Sequence, residues 1–203
     1  ALSAGLVNLV NTAITSSPLN VPIAANTTAG TYNGSITVSN AGCTGGSSSF
    51  TVTINSLPTI TTPATALSKC FSSSFQNGLL SYSATTGSPT HYTITWDVAA
   101  QAAGLNNLGS TSLAGSPLFY PIAAGTTGGI HNGTLTVTDA LGCSSTGNAF
   151  TQEIADFPTI TISATAATKC FNSSAQTSTL GYSATTNSPT LYRIIWDAAA
   201  LSA

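Results

Sequence analysis

Apolar and polar residues alternate with a period of two along most of the chain. Tyr92, Ile94 and Trp96 alternate with Thr93 and Thr95, and Leu135 and Val137 with Thr134, Thr136 and Thr138. Phe50, Val52 and Ile54 alternate with Thr51, Thr53 and Asn55, and Leu118, Tyr120 and Ile122 repeat the pattern. Such runs mark strands with one buried face, and threonine on the other face suits a pleated surface without needing charge. Asn77-Gly78, Gly87-Ser88-Pro89, Gly128-Gly129 and Asn132-Gly133 are read as turns. One helix is expected, Val98 to Leu105, with Asp97 as its N-cap. The predicted order is strand A near 59–63, B at 79–85, C at 91–96, the helix, D near 110–113, E at 117–122, F at 133–139 and G at 149–155. Seven short strands in about 100 residues, with a Trp on strand C, predict an all-β fold of tandem immunoglobulin-like β-sandwich domains.

An internal repeat sets the organisation. Pro58-Thr59-Ile60-Thr61 returns as Pro158-Thr159-Ile160-Thr161, Lys69-Cys70-Phe71 as Lys169-Cys170-Phe171, and Trp96-Asp97 as Trp196-Asp197, each at an offset of 100. The start of the chain matches the middle at offset 99: Ser17-Pro18-Leu19 with Ser116-Pro117-Leu118, and Asn33-Gly34 with Asn132-Gly133. One extra residue, Leu141, restores the offset of 100 by Cys43 and Cys143. A period this long matches an independent domain rather than a solenoid unit. Residues 58–157 are then one complete repeat, 1–57 the C-terminal part of the repeat before it, and 158–203 the N-terminal part of the next. Because Ala200-Leu201-Ser202-Ala203 repeats Ala1-Leu2-Ser3-Ala4, the chain reads as a window of a longer tandem array.

Charge narrows the function classes. Three basic and five acidic residues amount to 4 % of the chain, with a net charge of -2, against about 25 % charged residues in an average domain. No basic face can be built from so few cations, which argues against nucleic acid and anionic membranes as partners. Hydrophobic residues make up 42 %, enough to argue against charge-driven disorder. No apolar run approaches the roughly 20 residues of a membrane span, so direct membrane insertion is not expected.

The set Lys69-Cys70-Phe71-Ser72, Tyr82-Ser83-Ala84-Thr85-Thr86, Tyr92-Thr93-Ile94-Thr95-Trp96-Asp97 and Thr134-Leu135-Thr136-Val137-Thr138-Asp139 before Gly142-Cys143 resembles the Ig-like or PKD-like tandem repeats of giant Bacteroidota surface proteins. Gliding adhesins and cargo of the type IX secretion system are of that kind. The resemblance implies export, a cell-surface or filament location and a role in adhesion or gliding, and it carries over no catalytic residue.

Cys43, Cys70, Cys143 and Cys170 fall two per repeat with no Cys-x-x-Cys and no acidic or His neighbours at ligand spacing. Disulfides in an oxidising compartment are therefore preferred to a metal site. Parity within one domain favours Cys70–Cys143, leaving Cys43 and Cys170 to partners in adjoining repeats. The other regular scheme, Cys43–Cys70 with Cys143–Cys170, spans 27 residues in both copies and would link neighbouring domains. Opposite ends of a standard sandwich separate an A–B turn from an F–G turn, so Cys70–Cys143 needs the long 64–78 segment to carry Cys70 back.

No catalytic, cofactor or metal residues are assigned. His91 and His131 have Leu191 and Tyr32 at their repeat positions, and Asp97, Asp139, Glu153, Asp156 and Asp197 are scattered singly. A triad or a calcium cage needs clustered groups. Asp97 is read as a helix cap, and Trp96 and Trp196 as core residues rather than a sugar-stacking platform. Asn26, Asn33, Asn132 and Asn172 lie in Asn-x-Ser/Thr sequons, a match that a chain with 28 Ser and 35 Thr produces by chance. Flat Thr-x-Thr ranks for ice binding are not expected from separate strands of a twisted sandwich.

The leading expectation is a non-catalytic structural module of a long extracellular fibre or adhesin, its partners being neighbouring repeats and laterally associated fibres. A module for surface glycans or host ligands, with the loop from Pro121 to Gly133 as its tip, is the second reading. An accessory array of a secreted enzyme is the third.

Overall fold

Four strands precede Pro58: β1 (Gly30–Ile36), β2 (Ser39–Asn40), β3 (Cys43–Thr44) and β4 (Ser48–Ile54). Then follow β5 (Thr59–Thr61), β6 (Lys69–Cys70), β7 (Gln76–Leu80), β8 (Ala84–Thr86), β9 (Pro89–Trp96) and α1 (Val98–Ala102). After α1 come β10 (Leu108–Ser112), β11 (Leu118–Ile122), β12 (Gly129–Asp139) and β13 (Asn148–Ala155), then β14 (Thr159–Ile162), β15 (Tyr182–Thr186) and α2 (Ala198–Leu201). This computed structural model describes residues 5–163 and 168–201. The expected match of residues 1–4 to the end of the chain therefore lies outside the described residues.

Between Pro58 and Phe157 the strands form an all-β sandwich. One layer is a five-stranded sheet in the order β10-β9-β12-β13-β6. The facing layer consists of two separate ladders, β11–β7 and β5–β8. Tyr92, Ile94 and Trp96 point inward from β9, with Leu135 and Val137 from β12 and Phe150 and Ile154 from β13. Leu80, Leu118, Tyr120 and Ile122 meet them from the facing layer. Period-two alternation thus gives each strand one core face.

Four elements depart from the expected order. The strand expected as B at 79–85 is broken into β7, which pairs with β11, and β8, which pairs with β5. Strand A is split between the two layers. β5 pairs antiparallel with β8, and the chain then crosses so that β6 pairs parallel with β13, Cys70 opposite Ala155. Along the crossing, Ala66 N donates to Thr151 O and Thr151 N to Ala64 O, each at 2.8 Å. The strand expected as D is β10, which pairs with β9 at the edge of the five-stranded sheet through a bulge between Leu108 and Thr111. The helix stops at Ala102 rather than Leu105. Gly104, at φ +113, terminates it, and Leu105 N bonds back to Ala100 O at 3.0 Å, which turns the Leu105 side chain into the core.

Two glycines read as turn markers lie inside strands instead. Gly78 sits within β7 and Gly133 within β12. A Cβ on Gly78 would come within 2.0 Å of the Tyr120 ring, and one on Gly133 within 2.8 Å of Trp96 and 2.9 Å of Phe150. Those rings pack on one another: Trp96 and Phe150 centroids are 5.3 Å apart, and Trp96 and Tyr120 are 5.5 Å apart. The glycines are needed for close approach rather than for a positive φ. Beside the rings lies Gln152, fully buried. Its Oε1 accepts from the Tyr120 hydroxyl, and its Nε2 donates to Leu67 O at 3.2 Å and Glu153 O at 2.6 Å. With all of these partners, a buried amide is tolerated.

Outside this sandwich the same registers recur without a core. β1 pairs with β4 so that Gly34 faces Phe50, as Gly133 faces Phe150. β14 and β15 align Thr159 with Thr186 and Ile160 with Thr185, as Thr59 aligns with Thr86 and Ile60 with Thr85. Among the described residues, every buried apolar side chain lies between Pro58 and Ile154.

Gly78→Ser is expected to destabilise the sandwich by about 1–3 kcal/mol through overpacking. Combined with Tyr120→Val, the double variant should lose less than the sum of the two single variants, a coupling that chemical denaturation measures directly.

Candidate functional site

The sandwich has two poles. The chain enters beside the turn between β12 and β13, where the Asn148 amide donates to Ile60 O. It leaves at the far end of β13, where Phe71 N donates to Ala155 O at 2.8 Å and the Phe71 and Phe157 rings meet edge to face at 5.7 Å.

The cysteines divide between these poles. Cys70 lies opposite Ala155 at the pole where the chain leaves. Cys143 lies in the turn at the other pole, where Asp139 Oδ1 accepts from Leu141 N and Cys143 N, both at 2.9 Å. The length of β13 separates them, roughly 24 Å at about 3.4 Å per residue, whereas a disulfide needs Cα atoms within about 7 Å. The expected Cys70–Cys143 bridge is therefore not formed within the sandwich, because the 64–78 segment runs parallel to β13 instead of turning back. Among the described residues no two cysteines are bridged; Cys43, Cys70 and Cys170 are exposed and Cys143 is half-buried.

Asp97 fills the role expected of it. Its Oδ1 accepts from Ala100 N at 2.7 Å, capping α1, and its Oδ2 accepts from Asn132 Nδ2 at 2.9 Å. The Ala100 N–H first, then the Asn132 amide, hold this carboxyl below the usual carboxylate range. Asn132, a sequon residue, has its amide engaged in this contact. Trp96 is core and Trp196 is exposed. His131 is buried and donates from Nε2 to Thr127 O at 3.0 Å, while exposed His91 pairs through Nδ1 with its neighbour Thr90 at 3.0 Å. Burial of the Tyr120 phenol raises it well above its ordinary range, so it stays a hydrogen-bond donor to Gln152.

A shallow open depression of about 490 Å³ lies on the outer face of the five-stranded sheet, lined among others by Thr95, Asp97, Asn132, Thr134 and Thr151. Asp97 is the single titratable group in its lining, and both its oxygens are already used as acceptors. Among the described residues no three His, Cys, Asp or Glu side chains converge as a metal site, and no helix is long and apolar enough to cross a membrane. The candidate functional features are thus the two poles and the exposed flanking strands. Alternation on 50–54 marks a buried face in the sequence, and here Phe50 is exposed while Val52 and Ile54 are half-buried; Trp196, expected in a core, is exposed.

No family model and no curated protein matches the chain. Among solved structures, the fibronectin(III)-like modules of Clostridium thermocellum CbhA align over 48 % of this chain and 98 % of their own, at 12 % identity and a TM-score of 0.32. The sandwich assignment rests on the sheet order and core described above.

Two predictions follow from this geometry. The pair Cys70→Ser and Cys143→Ser should leave the denaturation midpoint of the monomer unchanged, whereas loss of an internal bridge would cost about 2–4 kcal/mol. Asp97, its pKa depressed on folding, adds stability above its unfolded value of about 3.9, and that stability is lost as pH falls through the lower folded value. Asp97→Asn keeps a competent cap, so its melting temperature should depend less on pH below about 4 than that of the parent chain, as followed by circular dichroism.

Proposed function

We propose that this chain is a non-catalytic structural repeat of a long extracellular fibre or surface adhesin, with 58–157 as one complete repeat and 1–57 and 158–203 as parts of its neighbours. The observation that carries this reading is the placement of the chain's entrance and exit at opposite poles of the sandwich. Between β4 and β5 lie only residues 55–58, and between β13 and β14 only 156–158. Linkers this short set the next repeat at the exit pole, so repetition extends the chain instead of folding it back.

Two further observations support the same role. The Ser- and Thr-rich surface offers hydration without charge. The exposed edge strand β10 carries no charged residue in Leu108–Ser112, so charge does not block it from pairing with another edge. Lateral strand contacts between fibres are part of this proposal. Cys70 at one pole and the Cys143 turn at the other suit bridges between successive repeats in an oxidising setting.

Electron microscopy of the native material is expected to show long thin fibres with an axial repeat of one sandwich. Isolated globular particles would refute the fibre role.

A further inference from the structure

Side chains from β9, β12 and β13 converge on the open depression at the outer face of the five-stranded sheet. They stand in two ranks. Thr95 lies opposite Thr134, and Thr134 opposite Ala149. Asn132 lies opposite Thr151, and Asp97, whose N donates to Asn132 O at 3.1 Å, extends that second rank past the end of β9. Strand spacing puts neighbours within a rank about 5 Å apart and the two ranks about 7 Å apart, a grid on the scale of a sugar ring.

The polar groups of this grid are held in place but not used up. Asp97 Oδ1 takes the Ala100 N–H and Oδ2 the Asn132 amide, which leaves each carboxylate oxygen a further lone pair. Asn132 gives one amide hydrogen to Asp97 and keeps its Oδ1 and second N–H for other partners. Among the described residues, the Thr95 and Thr134 hydroxyls have no protein partner either. The α1 cap fixes the carboxylate and the carboxylate fixes the amide, so these groups are oriented before a ligand arrives.

This lining selects its ligand by exclusion. It contains no Lys, Arg or His, so an anion meets only the Asp97 carboxylate. A calcium ion needs several oxygen ligands with more than one carboxylate among them, and Asp97 is the only carboxylate here. An apolar ligand needs enclosure, and the depression is open. A neutral ligand rich in hydroxyls meets none of these objections. Its O–H groups donate to Asp97 and to Asn132 Oδ1, and its oxygens accept from the threonine hydroxyls and the Asn132 amide. We infer that this face binds neutral saccharides, with Asp97 and Asn132 as the central contacts and Thr95, Thr134 and Thr151 around them.

The site belongs to the sheet face, not to the loop tip from Pro121 to Gly133, and it stands independently of the fibre reading. Its central pair recurs along the chain. Asp197 accepts from Ala200 N at 2.8 Å, capping α2 as Asp97 caps α1, and Asn33, Ser35 and Thr51 stand where Asn132, Thr134 and Thr151 do. Ile195 replaces Thr95, which removes one hydroxyl from that copy. Weak sites repeated along one chain gain avidity on a polysaccharide surface.

The experiment is a titration of the isotope-labelled full chain followed by amide NMR shifts. Cellotetraose, laminaritetraose, xylotetraose and mannotetraose are the neutral probes, and tetragalacturonate is the anionic one. At least one neutral probe at about 10 mM is expected to shift the amides of Thr95, Asn132, Thr134 and Thr151, and tetragalacturonate none of them. Thr95→Val combined with Thr134→Val keeps the branched shape on both strands and removes two hydroxyls. This double variant should keep the parent's melting temperature and bind the same probe about tenfold more weakly. No shift with any neutral probe would overturn the inference, as would shifts confined to other faces. Equal shifts by tetragalacturonate, or undiminished binding by the double variant, would overturn it too. Globular particles in the electron microscope beside these shifts would remove the fibre role and leave this site standing.

Discussion

Three aromatic rings wedged between two sheets are the constraint on which the rest of the sandwich depends. Trp96, Tyr120 and Phe150 come from three strands, and their mutual distances of 5.3–6.0 Å hold the layers together at the centre. Such rings bury a large apolar area each, but they fit only because Gly78 and Gly133 leave room beneath them. Gln152 then follows from Tyr120. A phenol buried this deeply needs an acceptor, and the amide that supplies one is itself satisfied by Leu67 O and Glu153 O. That last set of contacts ties the crossing segment of strand A to β13.

The low charge content acquires a structural meaning in this setting. Surface turns that other proteins would stabilise with ion pairs are held here by short side-chain bonds to the backbone. Asp139 gathers two amide hydrogens in the β12–β13 turn, Asp97 caps α1, and Thr126 Oγ1 closes its loop onto Ala123 O at 2.8 Å. Cross-strand hydroxyl pairs such as Thr59 with Thr86, at 2.7 Å, line the outer faces. Such contacts are barely sensitive to salt, since no pair of opposite charges is screened. A surface of this kind suits a repeated extracellular material, in keeping with the proposed role.

Much of the sandwich was legible along the chain, for a local reason. Strands β9, β11, β12 and β13 follow from period-two alternation, which is a property of neighbouring residues. The Asp97 cap was equally readable, because an N-cap contact spans three residues. Gly78 and Gly133 were misread because a glycine preceded by Asn looks the same whether it serves a turn or a ring from a distant strand. The β6 strand, two residues long, carries no alternation, and only its long-range pairing with β13 creates it. Phe50 and Trp196 read as core yet are exposed for the same reason: a local pattern states which face wants burial, not whether a partner is there.

The sequence by itself determined the period of about 100 residues, the buried face of each long strand and the absence of any basic surface, because composition and short-range pattern suffice for these. Tertiary structure alone decided that strand A divides between the two layers and that β10 joins the β9 edge. It also decided that Cys70 and Cys143 stand at opposite poles. Each of these depends on contacts between residues far apart in the chain, and parity of cysteines or spacing of strands carries no information about which pole a segment finally reaches.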